Sequence, residues 1–233
     1  MFVHQLMRKF IIPLVLGSTL TIKQTLAETI PAKAHVVLVH GIFQKGYSFL
    51  PMQKKLQAQG FDCLIPSLKP ADARSGIDVL AQQLDREINA KWGDNAEVHI
   101  VAHSMGGLVS RYYLQELGGA KKCKTLITLA TPHHGTNAAY CYPGTGAIQM
   151  RPGSEFLQNL EKTSNRLQGI RILSYRTPLD LIILPSTSSH WDLAENHRIW
   201  VPAHPLVMHA PRVQREIIAT LQSATSAAGQ IVR

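Results

Sequence analysis

At 233 residues, 45% hydrophobic and 17% charged, the chain has the make-up of one large globular domain, not of a disordered or fibrous protein. The formal net charge of +9 is scattered in short pairs such as Lys54-Lys55 and Lys121-Lys122. No basic stripe or reader motif accompanies it, which speaks against nucleic acid as a partner and for a solvated basic surface, with attraction to an anionic lipid surface left open. Cys63, Cys123 and Cys141 are an odd set, so at most one internal bridge forms in an oxidising compartment. Position alone suggests Cys123 with Cys141, and the spacing does not suggest zinc.

In chain order, residues 1–27 read as a secretory signal peptide. Arg8 and Lys9 open it, an apolar middle runs from Phe10 to Leu20, and Thr25-Leu26-Ala27 forms a small-residue cleavage site before Glu28. The middle contains Pro13, Gly17 and Ser18 and is shorter than the roughly 20 apolar residues of a spanning helix. The mature chain is therefore expected over 28–233, exported to the periplasm or beyond, with an uncleaved anchor as the alternative. A strand is predicted over 34–39, ending in His40-Gly41-Ile42-Phe43, then a helix over 47–58 stopped by Gly60. Residues 61–65 read as a strand. Ile77, Leu80, Leu84 and Ile88 mark one face of the next helix, which Gly93 ends.

The next stretch, E-V-H-I-V-A-H-S-M-G-G-L-V-S-R-Y-Y-L over 97–114, carries the chemistry. Val98, Ile100, Val101 and Ala102 read as a buried strand, and Leu108, Val109, Tyr112 and Leu114 recur at helical spacing. Ser104 thus sits on a strand-to-helix turn inside A-x-S-x-G. Such a turn needs small neighbours, here Ala102 and Gly106, and it lifts the serine above the sheet edge with the next amide facing a developing oxyanion.

Residues 125–129 form another strand, feeding the loop Thr131-Pro132-His133-His134-Gly135-Thr136. Residues 137–153, rich in glycine and proline, read as a long covering or binding loop. Ser154 is placed to cap a short helix through Leu160. Strands over 170–175 and 198–201 follow. Pro205 suits the first turn of a closing helix whose apolar positions include Val213, Ile217, Ile218 and Leu221. Strands alternating with helices predict an α/β fold: one domain, a mostly parallel sheet with helices on both faces, and no large cap.

A serine hydroxyl needs a base, and the base needs a carboxylate to hold its tautomer. In open parallel sheets these groups collect beyond the carboxyl ends of strands. Ser104, Asp180 and His204 occupy three such positions, in the order nucleophile, acid, histidine. His209 is the rival base, set aside because it is expected inside the closing helix. Asp192 and Glu195 are rival acids lying farther from a strand end. The amides of Ile42 and Met105 are the expected oxyanion donors, since Gly41 lets that loop approach closely. His40 is expected to brace the loop. His103 is expected to pack behind the serine or support it, and with Phe43 and His133 it completes the set of candidate substrate-binding side chains. His133-His134 lacks a third ligand at metal spacing, so no metal is assigned.

The chain resembles the bacterial lipases and carboxylesterases of the α/β-hydrolase fold. The resemblance rests on V-L-V-H-G-I at 37–42, V-A-H-S-M-G-G at 101–107, T-P-H-H-G-T at 131–136, Q-M-R-P-G-S-E-F-L at 149–157, the Asp180 turn and A-H-P-L-V-M-H-A-P-R-V at 203–213. It implies a triad of Ser104, Asp180 and His204 with no cofactor. The implied activity is a serine hydrolase of carboxylic esters, with acylglycerols or other lipid esters as substrates and transient contact with a lipid surface. Ala102 stands where the usual motif has its first glycine. Larger members carry a calcium site and a helical lid; no calcium ligands are identified here. A lipid acyltransferase, a thioesterase with the same triad, and a non-catalytic lipid-binding module are the alternatives.

Overall fold

The computed structural model describes residues 33–230, and side chains through 226. The segment read as a signal peptide lies outside the described residues. Six strands, β1 (His35–Val39), β2 (Asp62–Leu64), β3 (Val98–His103), β4 (Cys123–Leu129), β5 (Arg171–Arg176) and β6 (Glu195–Arg198), make one sheet in the order β2-β1-β3-β4-β5-β6. Every adjacent pair is parallel. The α-helices are α1 (Leu50–Ala58), α2 (Ile77–Trp92), α3 (Met105–Glu116), α4 (Thr145–Gln149), α5 (Glu155–Lys162) and α6 (Pro211–Gln230).

Side chains alternate across a strand, so the apolar run of β1 serves two cores. Val36 and Leu38 face Phe49, Met52 and Leu56 around α1 and Val213, Ile217 and Leu221 of α6. Val37 and Val39 face Ile77, Leu80, Leu84 and Ile88 of α2 and Met105, Leu108 and Val109 of α3. Each fully buried Leu, Ile or Val contributes roughly 1.5–3 kcal/mol. Burial on both faces explains why β3 is buried at all six positions. From β1 the chain moves outward to β2, and β3 returns on the opposite side of β1. The strand order therefore reverses at β1 and β3, and a crevice opens beyond their carboxyl ends.

Several boundaries differ from the sequence reading. The last strand lies at Glu195–Arg198, not over 198–201: it is a polar edge strand whose register against Leu173 to Arg176 is set by pairing with β5. The 137–153 segment is not a bare loop but a 3-10 turn at Asn137–Cys141 followed by α4. Pro205 belongs to a short 3-10 turn, and the closing helix begins at Pro211. His209 consequently sits exposed in the connection before α6 and not inside that helix. The three cysteines are free thiols, Cys63 and Cys123 buried and Cys141 exposed. Ser154 caps α5 by accepting the Leu157 amide at 3.3 Å.

Candidate active site

Ser104 joins β3 to α3 with φ 55° and ψ −129°. A non-glycine residue in such a conformation costs on the order of 1–3 kcal/mol and persists only where its surroundings enforce it. Here the Ser104 amide donates to Leu129 O at 2.8 Å, and its carbonyl accepts from Gly107 N–H at 3.0 Å and Thr131 Oγ1 at 3.0 Å. The small residues of the motif are sterically required. A Cβ on Gly106 would stand 2.5 Å from Val39 O, and one on Gly41 would stand 2.9 Å from Ser104 Cβ. At Gly107 it would collide with Thr131.

Met105 is the first residue of α3, so its amide has no acceptor within the helix and points out with the positive end of the helix dipole. Among the described residues neither the Met105 nor the Ile42 amide has a protein acceptor. The neighbouring amides are occupied: Gly41 N–H donates to Gln44 Oε1 at 3.0 Å and Phe43 N–H to Ala71 O at 2.8 Å. His40 Nδ1 lies 3.0 Å from Gly41 O and braces the same turn. Gln44 was not singled out from the sequence, because a glutamine in a loop has no signature until its partners are known. Its Oε1 also lies 3.1 Å from His103 Nδ1. That oxygen already accepts from Gly41, so the His103 proton belongs on Nδ1.

Asp180 follows β5 by a short turn, and His204 opens the 3-10 turn beyond β6. His204 Nδ1 is 2.8 Å from Asp180 Oδ2, with both side chains almost fully buried. Asp180 Oδ1 accepts the amides of Ile182 and Ile183, each at 2.9 Å. Burial alone would push this carboxyl up. The bond and charge of His204, with the two amides, outweigh it and hold Asp180 below the usual carboxylate range. The rivals lie elsewhere: Asp192 is exposed and 3.4 Å from His190, and Glu195 pairs with Arg171 on the edge strand.

Ser104 and His204 both line a cavity of about 350 Å³. Its walls are almost wholly apolar, and Phe43 stands at its rim, 61% exposed. His103 and His133, expected to contact substrate, are not among its lining residues. His103 is buried behind the site, its ring 4.7 Å from that of His204, and burial pushes its pKa down to about 3. His133 is buried beside the loop, 3.1 Å from Thr128 Oγ1 and stacked on Trp191 at 4.3 Å. Burial, then the charge of Arg111, hold His133 well below the ordinary histidine value. Both imidazoles are therefore neutral near pH 7.

Two other residues escaped the sequence reading as supports of the site. Arg111 of α3 lies 4.4 Å over the Trp191 ring and donates to His133 O at 3.2 Å, anchoring the 131–136 loop. Thr136 Oγ1 donates to Ile182 O at 2.7 Å and accepts from Leu184 N–H at 2.9 Å, fastening the Asp180 turn to the cavity wall.

A parallel sheet reversing at β1 and β3, with a serine elbow after β3, defines the α/β-hydrolase class. This chain has the α/β-hydrolase fold, and residues 34–142 match the family described by that fold. Among solved structures it is similar to the mature form of Bacillus licheniformis lipase BlEst2, with 18% identity and a TM-score of 0.65 over 82% of this chain and 92% of that chain. It is similar to Aspergillus fumigatus lipase B at 16% identity and a TM-score of 0.66, over 78% of this chain and 51% of that chain. The thioesterase domain from the curacin biosynthetic pathway is similar at 15% identity and a TM-score of 0.58, over 81% of this chain and 92% of that domain. No curated protein matches the sequence.

Proposed function

We propose that the protein is a serine hydrolase of carboxylic esters, acting on acylglycerols or other lipid esters through an acyl-enzyme on Ser104. The observation that carries this reading is the 2.8 Å Asp180–His204 pair opening on the same apolar cavity as the strained Ser104 elbow. With Nδ1 committed to Asp180, His204 has Nε2 left to take the Ser104 proton as Oγ attacks the acyl carbon. Such a bond commonly closes only when substrate is in place. The tetrahedral oxyanion accepts from the Ile42 and Met105 amides, each worth about 3–4 kcal/mol of transition-state stabilisation. Asp180 keeps the imidazole in the required tautomer and offsets its charge. The C–O bond then breaks, and His204 returns the proton to the leaving alcohol. Water, deprotonated by His204, releases the carboxylic acid and restores Ser104.

The test pairs a fluorophosphonate probe with Ser104→Ala. The native protein is expected to be labelled at Ser104 and to hydrolyse p-nitrophenyl esters. The variant is expected to keep its melting temperature and lose about a millionfold in kcat. A folded, uncontaminated Ser104→Ala protein with native activity would refute the reading. Acyl-thioester and alcohol-competition assays separate ester hydrolysis from thioesterase and acyltransferase chemistry.

A further inference from the structure

The segment between Thr136 and Met150 covers the cavity, and its hydrogen bonds hold it to the body of the fold on two sides. On one side Gly146 N–H donates to Ala73 O at 3.0 Å and Thr145 N–H to Arg74 O at 3.3 Å. The Gln149 side chain accepts from Ile77 N–H at 2.6 Å and donates to Asp78 Oδ1 at 2.7 Å. Gly146 packs so closely that a Cβ there would stand 2.5 Å from Ala73 O. On the other side Thr136 Oγ1 donates to Ile182 O at 2.7 Å and accepts from Leu184 N–H at 2.9 Å, and Asn137 N–H donates to Leu184 O at 2.8 Å. Opening this cover would break six or more hydrogen bonds at once. It is a wall.

The lining divides by exposure: Phe43 and Ile182 are open to solvent, while Ala139, Ala147, Met150 and Ile183 are buried, Ala147 with 1% of its surface accessible. At about 30 Å³ per water-sized group, a cavity of about 350 Å³ holds on the order of ten methylene-sized groups. We propose that this wall makes the protein selective for medium-length acyl chains, with the chain running inward from Ser104 and Ala147 setting the limit. The inference rests on the ester-hydrolase reading and names its substrate class.

The test is kcat/KM for p-nitrophenyl esters from acetate to palmitate, on the native chain and on Ala147→Leu, with thermal melting as the check of folding. The native optimum is expected at roughly four to ten carbons, with at least about a tenfold fall by palmitate. Leucine adds three carbons at this buried position. At about fourfold per displaced methylene, the ten-carbon to four-carbon ratio is expected to drop more than tenfold. Ala147→Ser is expected to keep the native ratio. If Ala147→Leu does not fold, Met150→Ala decides: a gain on twelve-carbon over eight-carbon esters supports the wall, and no change overturns it. Native rates that keep rising to palmitate, an unchanged ratio in folded Ala147→Leu, or a shift along an alkyl acetate series instead of the acyl series each overturn it. Failure of the ester-hydrolase reading looks different: no ester is turned over and the fluorophosphonate leaves Ser104 unlabelled.

Discussion

Asp180 combines two opposed demands, since a carboxylate removed from water is disfavoured and the acid of the proposed triad has to stay ionised. Three hydrogen bonds decide the contest, two from backbone amides of its own turn and one from His204. Asp180→Asn preserves the shape and an acceptor for the amides but presents an N–H donor to His204 Nδ1, favouring the wrong tautomer. Steady-state kinetics are expected to show a fall of about 10⁴ in kcat with little change in melting temperature. Thr136→Val removes the hydroxyl that Ile182 O and Leu184 N–H share. It is expected to cost about 1–3 kcal/mol in urea denaturation for the groups left unpaired. The sequence reading brought forward Ser104, Asp180 and His204 because a strand end is a local feature. The fold joins Asp180 to His204 and lines one cavity with Ser104 and His204, although the last strand ends at Arg198 and not directly before His204. Gln44, Arg111 and Thr136 were not legible there. Their importance lies in partners brought near only by the fold, such as Gln44 beside His103 and Arg111 over Trp191.

At the scale of elements, α3 and β1 approach so closely that Gly106 touches the β1 backbone. Gly106→Ala forces helix and strand apart. It is expected to lower unfolding free energy by about 1–3 kcal/mol and to disturb the elbow, so that activity falls by more than the melting temperature suggests. Elements with strong internal periodicity were readable before any packing was known: α2 spans Ile77–Trp92 as its apolar spacing and Gly93 predicted. The misread ones lack such a signal. β6 reads Glu-Asn-His-Arg, polar throughout, and becomes a strand only by pairing with β5. α4 has five residues, too few for periodicity, and its position is set by bonds to Ala73, Arg74 and Ile77. Pro205 satisfied the rule for a helix start but lies in a 3-10 turn, and α6 begins at Pro211.

For the whole molecule, the two-faced core encloses imidazoles that burial keeps neutral: His40, His99, His103 and His133 all have lowered pKa values, His99 about 4 and His103 about 3. In the unfolded chain each takes up a proton near pH 6.5. Below that pH the unfolded state binds protons the folded state refuses, so stability falls by about 1.4 kcal/mol per pH unit for each group until its folded value is reached. Asp180, lowered instead from a carboxylate value, contributes stability that is lost only as pH falls through its own folded pKa, below that window. Urea midpoints are expected to drop steeply between pH 6.5 and 5. His99→Gln, remote from Ser104 at the other end of β3, is expected to flatten that dependence by one proton's worth. The stack of Arg111, Trp191 and His133 has an optical consequence. Trp191 has 1% of its surface exposed while Trp200 has 69%. Trp191 therefore emits from a dry setting beneath the 131–136 loop, Trp200 from water and Trp92 from a half-buried place. In a Trp92→Phe, Trp200→Phe background a red shift on denaturation thus reports when that loop loses its footing, without any added dye.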